Sequence, residues 1–479
     1  MQTSETLKQA FAAHNAGQHA AAEALCRELL QAGVADDQLF FLLGMVLHQQ
    51  EREMEAAEWL ERAAALQPGS ARIFSGWGNV MLKLGDFQKA AGHFARAIEL
   101  EPDCANHYYS LGTAVYRLDE LERATAAFER AVALNPRDAE SWNNLGKCLK
   151  ELNRVTESIA AYDRALEINP GYLIALQGRA ISLLTAGRLA EGYCDYESRW
   201  RTLCPRPLTG PRWDGRPIPG QTLFLHAEQG YGDGIQSARY AALARVRCGR
   251  VILECRPELK SLFVHSAVAE EVIAYGEAIP PFDTYISVIS LPGPLGITLE
   301  TIPGQTPYLK APRRTPPLGA PAGHLKVGLV WAGSPTHRDD ANRSVALEML
   351  APVLATPGVT FFSLQMPVPR RDEGKLKDFP SLIQAGPFPD YLATASAVLE
   401  MDLVISVDTS VAHLAGALGK PVWTLLQFAP DWRWFAQFGE KTPWYPTMRL
   451  FRQPWRGAWG PVIETVAGEL RRICGLARI

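Results

Sequence analysis

The sequence lacks most of the features that announce a role at first sight. Its eight cysteines, at 26, 104, 148, 194, 204, 248, 255 and 474, are scattered, and no two stand as Cys-x-x-Cys. That spacing offers neither a zinc ribbon nor a redox pair, so reduced thiols in a cytoplasm and no metal site are the expectation. Neither sign of charge dominates: 48 Lys and Arg face 51 Asp and Glu, a net charge of -3. Such a balance gives no electrostatic case for nucleic acid or an anionic membrane. No apolar run approaches the roughly 20 residues that cross a bilayer. The opening MQTSETLKQAF has no basic stretch ahead of an apolar one, so no secretory signal is expected. With 47% hydrophobic and 21% charged residues the chain reads as globular, and 479 residues are too many for one core. Three or so domains are expected.

What is present is a 34-residue beat. Pro68, Pro102, Pro136 and Pro170 keep it, as do Gly44, Gly78, Gly112 and Gly146. Phe40, Phe74, Tyr108 and Trp142, and Ala63, Ala97, Ala131 and Ala165, fall in the same register. Each unit reads as two helices, near 106–118 and 122–134 in the fourth, with Tyr108, Leu111 and Val115 on one face and Ala124, Phe128 and Ala131 on the other. One unit cannot bury its apolar face alone, so neighbours must stack. The pattern resembles the tetratricopeptide repeat over 38–171, with a degraded unit at 4–34 and a capping pair near 173–200. A solenoid over 1–200 follows, either gripping an extended peptide or protein or serving as a spacer. Ser75, Ser110, Asn143 and Asn144 are the expected groove residues.

A Pro- and Gly-rich connector, 201–220, comes next, with Trp213 expected as its anchor. Strand-like runs then alternate with helices: 222–227, 251–255, 271–275 and 284–290, a Pro-rich break at 303–322, then 325–333, 360–365, 402–407 and 421–426. That alternation implies parallel sheets covered by helices. Two such units, 221–322 and 323–479, imply two lobes with ligands bound beyond the carboxyl ends of their strands.

Four segments hold candidate chemistry. In SVDTSVAHLAGALGKPVW, 406–423, a strand ends at Val407, and Asp408 or Thr409 is expected to cap a helix running to about Leu418. A helix start fed by a strand is an anion site, with Ser410 and His413 near it; a plain capped helix is the alternative. In AEQGYGDGIQSARY, 227–240, Gln229, Gly230 and Gly232 form a cleft loop. There Asp233 either takes a proton from an acceptor hydroxyl or caps the following helix. The glycines do not fit the dinucleotide fingerprint. In VWAGSPTHRDDANRS, 330–344, Gly333 and Ser334 line the loop and Arg343 is placed to neutralise a diphosphate; a solvated loop in which Arg338 pairs with Asp339 or Asp340 is the alternative. In the 429–454 segment, Trp432, Trp434, Phe435, Trp444 and Tyr445 either stack a sugar or base or pack beneath the loop.

Taken in order, EQGYGDGIQSARY, VGLVWAGSPTHRDDANRS, DTSVAHLAGALGKPVWTLL and APDWRW resemble the heptosyltransferase-like enzymes of glycosyltransferase family nine, and the whole chain resembles bacterial proteins that fuse tetratricopeptide repeats to such a domain. The resemblance implies an α-solenoid followed by a GT-B pair of Rossmann-like lobes. It implies an inverting, metal-independent glycosyltransferase with no cofactor beyond its nucleotide-sugar donor. Asp233 would be the base; Arg343, Asp408, Thr409, Ser410 and His413 would hold the donor phosphates. Ser410 stands where the family has glycine. A protein or peptide acceptor held by the repeats is expected, in a cytoplasmic protein, with a homo-oligomer as one partner open to it. The alternatives are a non-catalytic repeat scaffold and an enzyme acting on free or lipid-linked glycans.

Overall fold

The computed structural model describes residues 2–203, 206–337 and 339–475. The chain divides into two compact units, one ending at Arg179 and one beginning at Ala180. The first consists of antiparallel helix pairs: Gln2–Asn15 with His19–Gln31, Asp37–Gln49 with Glu53–Leu66, Ala71–Leu84 with Phe87–Leu100, Ala105–Arg117 with Leu121–Leu134, and Ala139–Glu151 with Val155–Ile168. The glycine beat has a steric cause. A Cβ on Gly44, Gly78, Gly112 or Gly146 would fall 2.7, 2.6, 2.8 or 3.1 Å from Leu60, Phe94, Phe128 or Tyr162, the residue sixteen positions on in the second helix. Each glycine thus admits the bulky partner that fills its pair's interior. The degraded opening unit forms the same pair, burying Ala10, Ala22 and Cys26. Of the expected groove residues, Asn143 is buried, because its helix turns it into the stack, and Asn144 hydrogen-bonds Tyr109.

The boundary expected at residue 200 lies earlier. Leu184, Leu189 and Tyr193 belong to the core of the second unit, whose apolar surface recruits them. The connector is anchored as expected: Trp213 is buried, and its indole N–H donates to the Arg216 carbonyl at 2.9 Å.

The second unit carries two wholly parallel sheets. In the first, β1 (Ile218–His226), β2 (Cys248–Cys255), β3 (Glu271–Ala274) and β4 (Thr284–Ser287) lie in the order β3-β2-β1-β4. In the second, β5 (Leu325–Val330), β6 (Val359–Ser363), β7 (Leu382–Gln384), β8 (Leu403–Val407), β9 (Val422–Leu426) and β10 (Met448–Arg452) lie in the order β10-β9-β8-β5-β6-β7. The second order is that of a doubly wound dinucleotide-type sheet. Its strands are buried on both faces. Val404, Val422 and Leu426 point to the cluster shared with Leu223 and Leu253 of the first sheet. Ile405, Val407, Trp423 and Leu425 point the other way, to Val462, Ile463 and Val466 of the closing Trp459–Ile473 helix. This period-two division is the physical origin of the unbroken apolar strand sequences. Among the described residues no helix is long and apolar enough to cross a membrane.

Candidate functional site

Each sheet has one place where its strand order reverses, between β1 and β4 and between β5 and β8. In sheets of this kind, ligands bind beyond the carboxyl ends of the strands at such a place. Three of the four chemistry-bearing segments leave these ends: 227–230 follows β1, 331–344 follows β5, and 408–409 follows β8. The helices that follow β1 and β8, Tyr231–Ser237 and Ser410–Ala417, face each other. Gly232 permits the approach, since a Cβ there would fall 3.1 Å from His413 Cδ2 and 3.5 Å from Ser410 Cα.

Asp233 lies inside the first of these helices, because the helix starts at Tyr231, three residues earlier than expected. Its Oδ2 accepts from the Gly230 N–H at 2.8 Å, closing a cap over the turn. Gln229 enters that turn with φ 64°, and its carbonyl accepts from Arg256 Nε at 2.8 Å. The other Asp233 oxygen, Oδ1, accepts from Arg433 Nη2. The expected cap is corrected in position: Gly230 is the N-cap and Asp233, at the third helical position, closes the turn back onto it, with 17% of its side chain exposed. Its ion pair was not foreseen. Arg433 comes from the loop after β9, and its Nη1 also donates to Asp431 Oδ1 at 2.7 Å.

On the second sheet, Gln365 Oε1 accepts from the Trp331 and Ala332 N–H groups and steers the chain away from β5. A Cβ on Gly333 would lie 2.4 Å from Arg343 Nη2, so glycine makes room for that guanidinium. Arg343 donates to Asp340 Oδ1 and to the Asp408 carbonyl, each at 3.3 Å, and ties the β5 loop to the end of β8. Ser334 is not part of this arrangement: it lies in an exposed turn with its hydroxyl 2.9 Å from that of Thr336. Arg338 lies outside the described residues.

Thr409 is the N-cap by backbone geometry, yet no side chain caps the Ser410–Ala417 helix. The Thr409 hydroxyl turns back to Ser406 Oγ at 3.0 Å, and Ser410 Oγ lies 2.6 Å from the Tyr391 hydroxyl. Thr409 thus takes the expected N-cap position and Leu418 closes the helix, but the first-turn N–H groups meet no capping side chain. A free helix start with an arginine beside it is suited to an anion. Burial, then the neighbouring Asp431 carboxylate, push Asp408 up to about 6, with Arg343 and Arg433 opposing them. Asp431 is pulled the other way: burial raises it, but the charge and hydrogen bonds of Arg433 hold it below the usual carboxylate range. His413 is buried, stacked on Trp434 at 5.0 Å between centroids, with Nδ1 3.0 Å from the Tyr445 hydroxyl. Burial, Arg433 and Arg239 depress it to about 3, so at neutral pH it brings a dipole and no charge.

Trp432, Trp434, Phe435, Trp444 and Tyr445 are all buried at 5% exposure or less. Packing beneath the loop, and not an open stacking platform, is their arrangement. Two further charged groups escaped the sequence reading. Arg199 pairs with Glu228 through both carboxylate oxygens at 2.7 and 2.8 Å and reaches Ser290, bracing the turn after β1. Arg239 donates to the Trp444 and Pro303 carbonyls and the Tyr308 hydroxyl, joining segments that flank the two sheets. The only available signal was their position inside or beside the motifs, since charge partners far apart in sequence leave no periodicity.

Residues 7–71, 76–132 and 117–172 match a tetratricopeptide-repeat family model, so the first unit is an array of such repeats. Protein FlbA of Caulobacter vibrioides is 29% identical along an alignment of 327 positions that covers 61% of this chain and 54% of FlbA. The chain thus spans about half the length of that curated relative. Among solved structures, YrrB, titled a TPR protein with an unusual peptide-binding site, matches at 19% identity and a TM-score of 0.34, over 37% of this chain and 91% of that one. MamA matches at 22% identity and a TM-score of 0.32, over 33% of this chain and 93% of its own.

Proposed function

We propose that this chain, a tetratricopeptide-repeat array followed by a two-sheet α/β unit, is a glycosyltransferase of the GT-B kind that moves a sugar from a nucleotide sugar to an acceptor hydroxyl with inversion. The observation that carries the reading is the meeting of two switch-point helices: one bears Asp233, and the other presents an uncapped start beside Arg343.

The donor diphosphate sits against the first-turn N–H groups and hydroxyls of Thr409 and Ser410, with Arg343 at its side. As the donor binds, Arg433 swings from Asp233 to the phosphates, since a dianion competes for the guanidinium better than one carboxylate. Asp233 then takes the proton from the acceptor hydroxyl. The hydroxyl oxygen bonds to the anomeric carbon while the opposite carbon–oxygen bond breaks, and its electron pair leaves on the nucleoside diphosphate. His413 contributes its neutral dipole. Base catalysis of this type contributes about 10²–10⁴-fold. The repeats recruit a protein or peptide acceptor, a step that rests on the general use of repeat grooves.

A second reading has its own support. Both Asp233 oxygens are engaged, so the Asp233–Arg433 pair also suits a latch in a non-catalytic scaffold. A panel of nucleotide sugars, read by thermal shift and slow donor hydrolysis, separates the two. The enzyme reading expects one sugar nucleotide to bind, and Asp233→Ala to abolish turnover while donor affinity persists. No binding across the panel, or turnover undiminished in Asp233→Ala, would overturn it.

A further inference from the structure

The repeats serve as controls for one another, and one of them departs at three positions together. At the turn into each first helix, residues 34 apart occupy one register. The N-cap position holds Asp36, Ser70, Cys104, Asp138 and Tyr172, and the position three further on holds Leu39, Ile73, His107, Ser141 and Ala175. Asp36 and Asp138 cap their helices with side-chain hydrogen bonds, whereas Ser70 and Cys104 make none, and the fourth unit alone places a thiol there. The second set lies in the stack: Leu39, Ile73, Ser141 and Ala175 are 2% exposed or less. In the fourth unit that interior place is taken by an imidazole. His107 is 6% exposed, and neither of its ring nitrogens has a hydrogen-bond partner. Its Nε2 lies 3.5 Å from Glu101 Oε2, and Glu101 in turn stands where the other repeats have Gly33, Gln67, Asn135 and Asn169.

We infer that Glu101, Cys104 and His107 form a binding site for a borderline-soft divalent cation, zinc above all. One donor atom from each lies within 4.8 Å of the others. The 3.5 Å between imidazole nitrogen and carboxylate oxygen is close to the roughly 3.4 Å that two such ligands keep on a tetrahedral zinc with bonds of about 2.0–2.2 Å. A thiol, an imidazole and one carboxylate exclude calcium and magnesium, which take all-oxygen shells. On binding, Cys104 Sγ gives up its proton to solvent and donates an electron pair; the metal changes no oxidation state. Three protein ligands leave a fourth position for water or a donor atom of a bound partner. The site pins the turn between the third and fourth helix pairs and owes nothing to the proposed sugar transfer. Cysteine spacing did not reveal it, because its ligands come one each from three residue types at i, i+3 and i+6.

The test uses the full chain stripped with chelator and titrated with cobalt(II), then zinc. Expected are one equivalent of cobalt with a thiolate-to-cobalt charge-transfer band, displacement of that band by zinc, and a melting temperature raised by zinc. Cys104→Ser should abolish the band. His107→Leu, which restores the residue found at Leu39, should retain the helical circular dichroism and lose both the band and the zinc-induced rise in melting temperature. A band of unchanged intensity in both variants assigns the metal to another cysteine and overturns the site. Absence of cobalt binding to the unmodified chain overturns it as well.

Discussion

Replacing Arg433 by Met removes a cation that contacts both Asp233 and Asp431, and its consequences can be worked out in advance. The Arg433 and Asp233 side chains are 10% and 17% exposed. Removing one partner from a buried ion pair costs about 3–5 kcal/mol. Asp233 keeps its Gly230 N–H bond and some access to water, so the lower end applies, about 3 kcal/mol. In a cycle with Asp233→Asn, the coupling between the two positions should fall in the range of about 1–3 kcal/mol. A pH signature accompanies this. In the unaltered protein Arg433 holds Asp431 below its unfolded value against burial. Without the guanidinium, burial and the Asp408 carboxylate raise Asp431 above that value. A group whose folded pKa is raised contributes stability at low pH that is lost as pH rises through the folded pKa. The deficit of Arg433→Met relative to the unaltered chain should therefore be larger at pH 8 than at pH 5. Urea unfolding followed by tryptophan emission reads it, since Trp432, Trp434 and Trp444 are buried in this region. A loss below about 0.5 kcal/mol, no coupling, and a deficit independent of pH would together refute the electrostatic reasoning.

Two further outcomes follow from the same electrostatics. His413 is held near 3 in the fold, below its ordinary value. The unfolded chain therefore takes up its proton first, and stability present above about pH 6.5 should fall by up to about 1.4 kcal/mol per pH unit on acidification; thermal melts of His413→Gln should show a shallower acid slope, and an equal slope would sink the assignment. Asp408, raised to about 6, has the opposite sign, so its contribution is lost as pH rises through that value. Asp408→Asn should stabilise the chain by about 1–3 kcal/mol at pH 8 and little at pH 4, and calorimetry showing no pH-dependent gain would contradict the placement of two carboxylates together.

The repeats were legible because their period is local. A glycine facing a bulky side chain sixteen residues on, and a proline closing each pair, recur in the four units that follow the degraded opening one, so the pattern announces the stack. The parallel strands were legible for a related reason: strands covered on both faces read as apolar runs. The sequence pattern does not reveal the short β7, the terminal β10 or the closing Trp459–Ile473 helix, since β7 is three residues long and β10 follows a long aromatic loop. The domain edge differs from the expected one because residues beyond Ala180 keep helical spacing while Leu184, Leu189 and Tyr193 pack into the core of the second unit.

The site divides along the same line. Short-range chemistry placed Asp233, Arg343 and the Thr409–Ser410 helix start next to strand ends, where backbone geometry alone offers N–H groups and room. What each group is doing there belongs to the folded chain. Asp233 meets Arg433 two hundred residues later, His413 loses its charge beneath Trp434, and Asp408 shares its surroundings with Asp431. Burial and long-range Coulomb partners set those states, and neither quantity exists until distant segments are brought within a few ångströms of each other.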